Sequence, residues 1–309
     1  METIKKFLKY LLGMFAVLIA FSFAAALCVG MVIVSLRQGA SDDELGSTAV
    51  KTEHAVGVVE ITGEIMTSEK FEKSLKTALD NPKLKAVVVR IDSPGGAVGA
   101  SEEMYRAIKT ANEKTPLKPV VCSLGTVAAS GGLFAAAGCK KIVANESTLT
   151  GSIGVIMMSP NVKGLLDKFG VQMMIVKSGK LKDTGSPFRE TNQEDREYLQ
   201  QLIDHTYGQF VKVVSQSRGI PVEQVKKFAD GRIILGDQAK ELGLIDEIGG
   251  INEAAKIALQ LIGDSAEPEI IKPTKGPGLL SMFAEVPDSS IWYWLKGLGK
   301  TQLLYRSFL

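Results

Sequence analysis

Histidine is nearly absent from this chain: His54 and His205 are the only two among 309 residues. His54 follows a polar stretch, and His205 falls inside a segment with helical spacing. Neither sits on a loop after a strand, where a base for a serine nucleophile belongs. A Ser-His mechanism is therefore a poor fit. Excess charge is also missing, since the formal net charge is +2. No electrostatic field here would draw nucleic acid. Cysteine is scarce too, at three residues: Cys28, Cys122 and Cys139. Cys28 lies in an apolar segment, so the rest of the chain can form one disulfide at most. The expectation is that Cys122 and Cys139 are buried free thiols.

In place of these, the chain has one long uncharged run. Residues 11–36 carry no charge, and the run exceeds the roughly 20 residues needed to cross a bilayer. Lys5, Lys6 and Lys9 precede it, while Asp42, Asp43 and Glu44 come shortly after Arg37. The positive-inside rule then keeps the N-terminus in the cytoplasm and exports the chain beyond residue 36. Ala24-Ala25-Ala26 would suit a leader cleavage site, but a leader's apolar core is usually only about 7–15 residues. The run is read as a retained single-pass anchor in the cell membrane. The expected organisation is a cytoplasmic N-terminus at 1–10, an anchor at 11–36, a linker at 37–55, a catalytic domain at 56–262 and an extension at 263–309.

Within the domain, strand-like and helix-like segments alternate. Residues 56–61, 86–91, 119–124, 141–144 and 173–177 read as strands, and 151–158 is β-like. Residues 69–79, 100–112 and 191–217 have helical spacing, as do the shorter 221–228, 236–242 and 251–262. That order argues for an α/β fold with mainly parallel pairing. Residues 263–278 are rich in proline and charge and read as a linker. Trp292, Tyr293, Trp294, Tyr305 and Phe308 give the tail an aromatic character suited to a membrane interface, a subunit contact or packing on its own domain.

The chemistry centres on Gly125-Thr126-Val127-Ala128-Ala129-Ser130-Gly131-Gly132. A valine-rich strand leads in, and a small apolar helix leads out. Ser130 thus sits at a strand-to-helix junction, where the first amides of a helix lack partners. A nucleophile needs that setting, with donors ready for an oxyanion. Without histidine, the base must be another group, and a neutral lysine serves. Lys177, Lys180 and Lys182 share one loop, and spacing does not choose among them.

Four motifs together resemble signal peptide peptidase A of the short, one-domain bacterial type. They are Asp92-Ser93-Pro94-Gly95-Gly96, Ala128-Ala129-Ser130-Gly131-Gly132, Leu149-Thr150-Gly151-Ser152-Ile153-Gly154-Val155 and Ser178-Gly179 with Lys182-Asp183, in that order. The resemblance spans about residues 56–262. It implies a Clp protease/crotonase-like fold of repeated β-β-α units. It implies Ser130 as nucleophile, Lys182 as general base and Ser152 as the serine that orients the lysine. Gly95, Gly96 and Gly131 match the oxyanion hole. No metal or other cofactor is implied. The expected substrates are cleaved signal peptides and other apolar peptides. The expected partners are membrane lipid and further copies of the same chain in a dome. Competing readings are a related membrane protease with another substrate, a crotonase-like acyl-CoA enzyme and an inactive membrane scaffold.

Overall fold

The computed structural model describes residues 52–272 and the short strand at 304–306. The expected anchor at 11–36, its cytoplasmic flank, most of the linker, Cys28, Trp292, Tyr293, Trp294 and Phe308 lie outside the described residues. Among the described residues, no helix is long and apolar enough to cross a membrane.

Ten strands are present among the described residues: β1 (Ala55–Thr62), β2 (Ala86–Ser93), β3 (Gly95–Ala97), β4 (Val120–Ala128), β5 (Ile142–Ala144), β6 (Leu149–Gly151), β7 (Ile233–Leu235), β8 (Glu247–Ile248), β9 (Glu269–Ile271) and β10 (Leu304–Arg306). The helices are α1 (Glu69–Asp80), α2 (Val98–Lys114), α3 (Gly131–Ala136), α4 (Lys163–Lys168), α5 (Gln193–Arg218), α6 (Val222–Val225), α7 (Gly236–Glu241) and α8 (Ile251–Gln260). The result is a mixed α/β fold.

The main sheet runs β7-β6-β4-β2-β1-β9, with β5 pairing β4 and β8 pairing β5. Its centre is parallel: Val58 aligns with Val88, and Val88 with Val121. Such strands are buried on both faces, which explains apolar runs such as Val87-Val88-Val89 in β2. Alternate residues serve opposite layers. Val56, Val88, Val121 and Val143 pack against Ala254, Ala255 and Ala258 of α8. Val87, Val89 and Cys122 face the larger core under α1, α2 and α3, which includes Phe134 and Phe210. Phe134 stacks edge-on against both Tyr105 and Phe210, at 5.5 and 5.0 Å, tying α3 to α2 and α5.

Several expectations change. Residues 173–177 form no strand, and Met174 and Val176 are each 90% exposed. An apolar run becomes a strand only where a neighbour supplies hydrogen bonds, and none of the described residues does so there. Residues 152–158 likewise leave the sheet after β6, apart from one isolated bridge residue. Conversely, β9 forms within the proline-rich 263–278 stretch, because Ala55 to Gly57 at the edge of β1 pair with it in parallel. The tail strand β10 pairs antiparallel with β3, aligning Tyr305 with Gly96. Cys122 and Cys139 are disulfide-bonded, with Cα atoms 5.7 Å apart, and are not free thiols. The reason is topological. The chain after α3 returns beside β4, where Lys140 N–H donates to Val120 O and Cys122 N–H to Lys141 O, each at 2.9 Å.

Candidate active site

Ser130 caps the N-terminus of α3 and is fully buried. Its φ of 53° and ψ of −116° are unusual for a side-chain-bearing residue. Among the described residues, Ser130 and Ser152 are the only non-glycines with positive φ. Such conformations cost roughly 1–3 kcal/mol each and persist only where the surroundings fix them. The surroundings here do so by hydrogen bonds. Ser130 N–H donates to Gly151 O at 2.9 Å, and Ala129 N–H to Ser93 O at 3.1 Å. Thr150 Oγ1 donates to Ala128 O at 2.7 Å, Thr148 Oγ1 to Gly125 O at 2.8 Å, and Val127 N–H to Asp92 Oδ1 at 3.1 Å. Each of these partners lies at or beside a strand end. The loop that delivers Ser130 is thus held by β2, β4 and β6.

The expected oxyanion glycines converge on the same point. A Cβ on Gly131 would lie 2.4 Å from Ser101 Oγ, 3.2 Å from Gly96 N and 3.3 Å from Gly95 Cα. A Cβ on Gly96 would lie 2.0 Å from Ile65 O. Backbone blocks any side chain at Gly96, and at Gly131 a side chain would crowd Ser101 and the Gly95-Gly96 backbone. The Gly95 amide is already engaged, donating to Ser93 Oγ at 3.1 Å. Gly131 N–H has no backbone acceptor among the described residues.

Ser130 Oγ is buried and has no hydrogen-bond partner among the described residues. Ser152 is buried one residue after the Gly151 carbonyl that receives the Ser130 amide; Ser152 N–H donates to Arg232 O at 2.7 Å. Lys182 is exposed in the turn after Gly179, so this chain on its own does not bring its amine to Ser130 Oγ. The three loop lysines differ in a telling way. Lys177 pairs with Asp183 at 2.6 Å, and Lys180 pairs with Glu194. Among the described residues no ion pair involves Lys182. Neither histidine approaches the serine: His54 Nδ1 lies 2.7 Å from Asp264 Oδ2, and exposed His205 pairs with Gln209 on its own helix.

Sequence reasoning missed the residue that holds the lysine loop. Arg189 forms ion pairs with both Asp183 and Asp195, its Nη2 donating to Asp183 Oδ1 at 3.0 Å and to Asp195 Oδ1 at 2.9 Å. Thr184 Oγ1 adds a hydrogen bond to Asp195 Oδ1 at 2.8 Å. Asp195 is also the third residue of α5, in a reciprocal cap with Asn192. Hydrogen bonds from Arg189 and then Lys177 hold the Asp183 carboxyl down at about 2. Arg189, with help from Thr184, holds Asp195 still lower. The signal available in the sequence was the Asn192-x-x-Asp195 capping pattern.

Residues 112–263 match Peptidase family S49. A Synechocystis sp. protein provisionally named as a protease is 42% identical over 255 residues, covering 82% of this chain and 91% of its own. An Enterococcus faecium protein provisionally named signal peptide peptidase SppA is 36% identical over 227 residues, covering 71% of this chain and 64% of its own. Among solved structures, a ClpP1 mutant from Listeria monocytogenes overlays 64% of this chain and 94% of its own, at 18% identity and a TM-score of 0.43.

Proposed function

The chain belongs to peptidase family S49 as a serine peptidase of the signal peptide peptidase A type, and from that premise we propose that it is a membrane-anchored endopeptidase using Ser130 and Lys182 to degrade cleaved signal peptides outside the cytoplasm. The observation that carries this reading is Ser130 itself. It is a buried, strained serine whose hydroxyl has no partner among the described residues, set against a wall of glycine amides. A structural serine at 0% exposure would be expected to spend its hydroxyl on a hydrogen bond.

In the proposed reaction Ser130 Oγ attacks the scissile carbonyl and gives its proton to a neutral Lys182 amine. The carbonyl oxygen, now negative, is held by Gly131 N–H, joined by the Gly96 amide once β10 no longer covers it. The lysine then protonates the departing amine, and water, deprotonated in turn by the lysine, releases the acyl group from Ser130. Ser152 orients the lysine. The edge of β3 is held by an antiparallel strand, β10, which a substrate strand would have to replace. An extended peptide bound in that manner would pass beside the same glycines.

Assembly of several copies supplies the missing contact between base and nucleophile. The stretch that carries Lys182 exposes Phe169, Met174, Val176 and Phe188, an apolar surface of the kind that marks an interface. A cleft of about 530 Å³ beside it is lined partly by Met157, Leu199 and Ile203. A second copy seated there would bury this surface and place Lys182 in a dry site beside a Ser130. The fold is read as the Clp protease/crotonase-like class, and the apolar run at 11–36 as the anchor that keeps the enzyme with its lipid-associated substrates.

The test is fluorophosphonate labelling together with digestion of an apolar signal peptide by the full chain in detergent. Labelling at Ser130, and less than about a thousandth of wild-type turnover in Ser130→Ala, are expected. An equally active Ser130→Ala would overturn the assignment.

A further inference from the structure

We propose that the Cys122–Cys139 disulfide is a clamp on the nucleophile, and that the peptidase reaches full activity only when this bond has formed. The two cysteines are 17 positions apart, and Ser130 lies between them. Cys122 is in β4 and fully buried, and Cys139 comes after α3, almost fully buried. The bond therefore ties the strand that delivers Ser130 to the far end of the helix that Ser130 starts. The other restraints on this loop are non-covalent: the hydrogen bonds to Gly151, Ser93, Thr150, Thr148 and Asp92.

The loop has reason to need the restraint. Ser130 has a positive φ and a hydroxyl without a partner among the described residues. A relaxed loop would let Ser130 find an ordinary backbone conformation and a hydrogen bond, and both changes would remove the reactive geometry. Closing the loop covalently removes much of the freedom through which that relaxation would occur. Reactions of this type are sensitive to displacements of about 1 Å, at a cost of up to about 10²-fold.

The bond forms by exchange. The Cys122 and Cys139 thiols lose two protons and two electrons to an external disulfide, which leaves as two thiols. Compartments outside the cytoplasm supply such oxidants, and the cytosol keeps thiols reduced. The inference thus rests on the exported serine-peptidase reading, and it adds a requirement to it: a chain retained in the cytosol would be a poor enzyme even when folded.

The experiment uses the full chain in detergent, prepared from membranes. Peptide mapping without reductant should find the peptides of Cys122 and Cys139 linked. The Cys122→Ala/Cys139→Ala variant should melt about 5–10 °C lower. Its kcat on an apolar peptide, and its rate of fluorophosphonate labelling, should fall about tenfold or more, with KM changed by less than about threefold. A merely structural bond would lower the melting temperature and leave kcat and labelling alone. Cys139→Ala provides a second break that keeps the buried Cys122 side chain, for use if the double variant does not fold. Wild type in which alkylation shows both thiols freed should match the variants, and reoxidation by a small disulfide should restore it but not them. Free thiols in the membrane-derived protein, or a wild-type labelling rate in folded variants, would overturn the proposal. Should oxidised wild type not label at all, the peptidase reading fails, while mapping and melting still report on the bond.

Discussion

The Ser130 amide donates to the Gly151 carbonyl at 2.9 Å, and this one bond seats Ser152 next in line after the nucleophile's own partner. The two serines are also the only non-glycines with positive φ among the described residues. Strain at the nucleophile and at the residue that follows its amide's acceptor points to a shared task. Ser152→Ala should leave the melting temperature within about 2 °C of wild type, because it removes a hydroxyl and no packing. It should lower kcat by about 10²-fold, because the base loses its orienting partner. Full activity in Ser152→Ala would remove Ser152 from the site.

Gly131 offers a steric test of the oxyanion wall. An added methyl would lie 2.4 Å from Ser101 Oγ and 3.2 Å from Gly96 N. Gly131→Ala must therefore push α3 away from β3, and loss of donor alignment typically costs about 10²–10³-fold in kcat. Ser101 already donates to Ala97 O at 3.0 Å, so its hydroxyl cannot simply swing aside. Pairing Gly131→Ala with Ser101→Gly should recover part of the lost stability but little of the rate, since the Gly96 contact remains. Stability is read by thermal melting and rate by peptide cleavage. A double variant with wild-type kcat would show that this wall does not bind the oxyanion.

The parts of the fold written in local pattern were legible in the chain. The runs at 86–91 and 119–124 are rich in β-branched residues and became the buried centre of a parallel sheet. The small-residue turn around Ser130 was legible for a steric reason, since a side chain at Gly131 would crowd Ser101. The features that were not legible depend on neighbours distant in sequence. Residues 173–177 have strand composition but no partner strand among the described residues. Residues 269–271 lie within a loop-like, proline-rich stretch but meet the edge of β1. The Cys122–Cys139 bond depends on α3 folding back along β4, which no spacing rule reveals. Arg189 carries no local signal, and its role comes from Asp183 in the loop and Asp195 in α5, which both pair with it.

The Arg189 clamp predicts how the lysine loop responds to acid. Asp183 and Asp195 have native pKa values below their unfolded ones, Asp183 near 2, against about 3.9 for a free aspartate. Depressed carboxyl groups stabilise the native state fully above the unfolded pKa. That contribution is lost as pH falls from about 4 toward 2 and below. Arg189→Gln should partly flatten this part of the stability–pH curve, because the largest cause of both depressions is gone while Lys177 still faces Asp183 and Thr184 still faces Asp195. At neutral pH the variant should lose more activity than stability, with proteolytic nicking appearing near residues 177–189. If the acid slopes of variant and wild type coincide, the clamp is not what depresses these carboxyls.

Lys182 is the sharpest test of the dyad. Of the three loop lysines, Lys177 and Lys180 are held against the carboxylates of Asp183 and Glu194. Lys182 has no such partner among the described residues, which leaves its amine free to enter an apolar site. A base must be neutral when it takes the Ser130 proton. Lys182→Arg should therefore be as inactive as Lys182→Ala, because a guanidinium stays charged and cannot accept a proton. Lys180→Ala should retain most of the activity, measured as kcat/KM on an apolar peptide. Lys177→Ala should retain most of it too, with a small loss because Asp183 loses one of its two cations. Cross-linking of wild-type copies through the exposed 158–188 stretch should accompany activity, and dilution to single copies should abolish it. An active Lys182→Arg enzyme would remove Lys182 from the mechanism and require another base within reach of Ser130 Oγ.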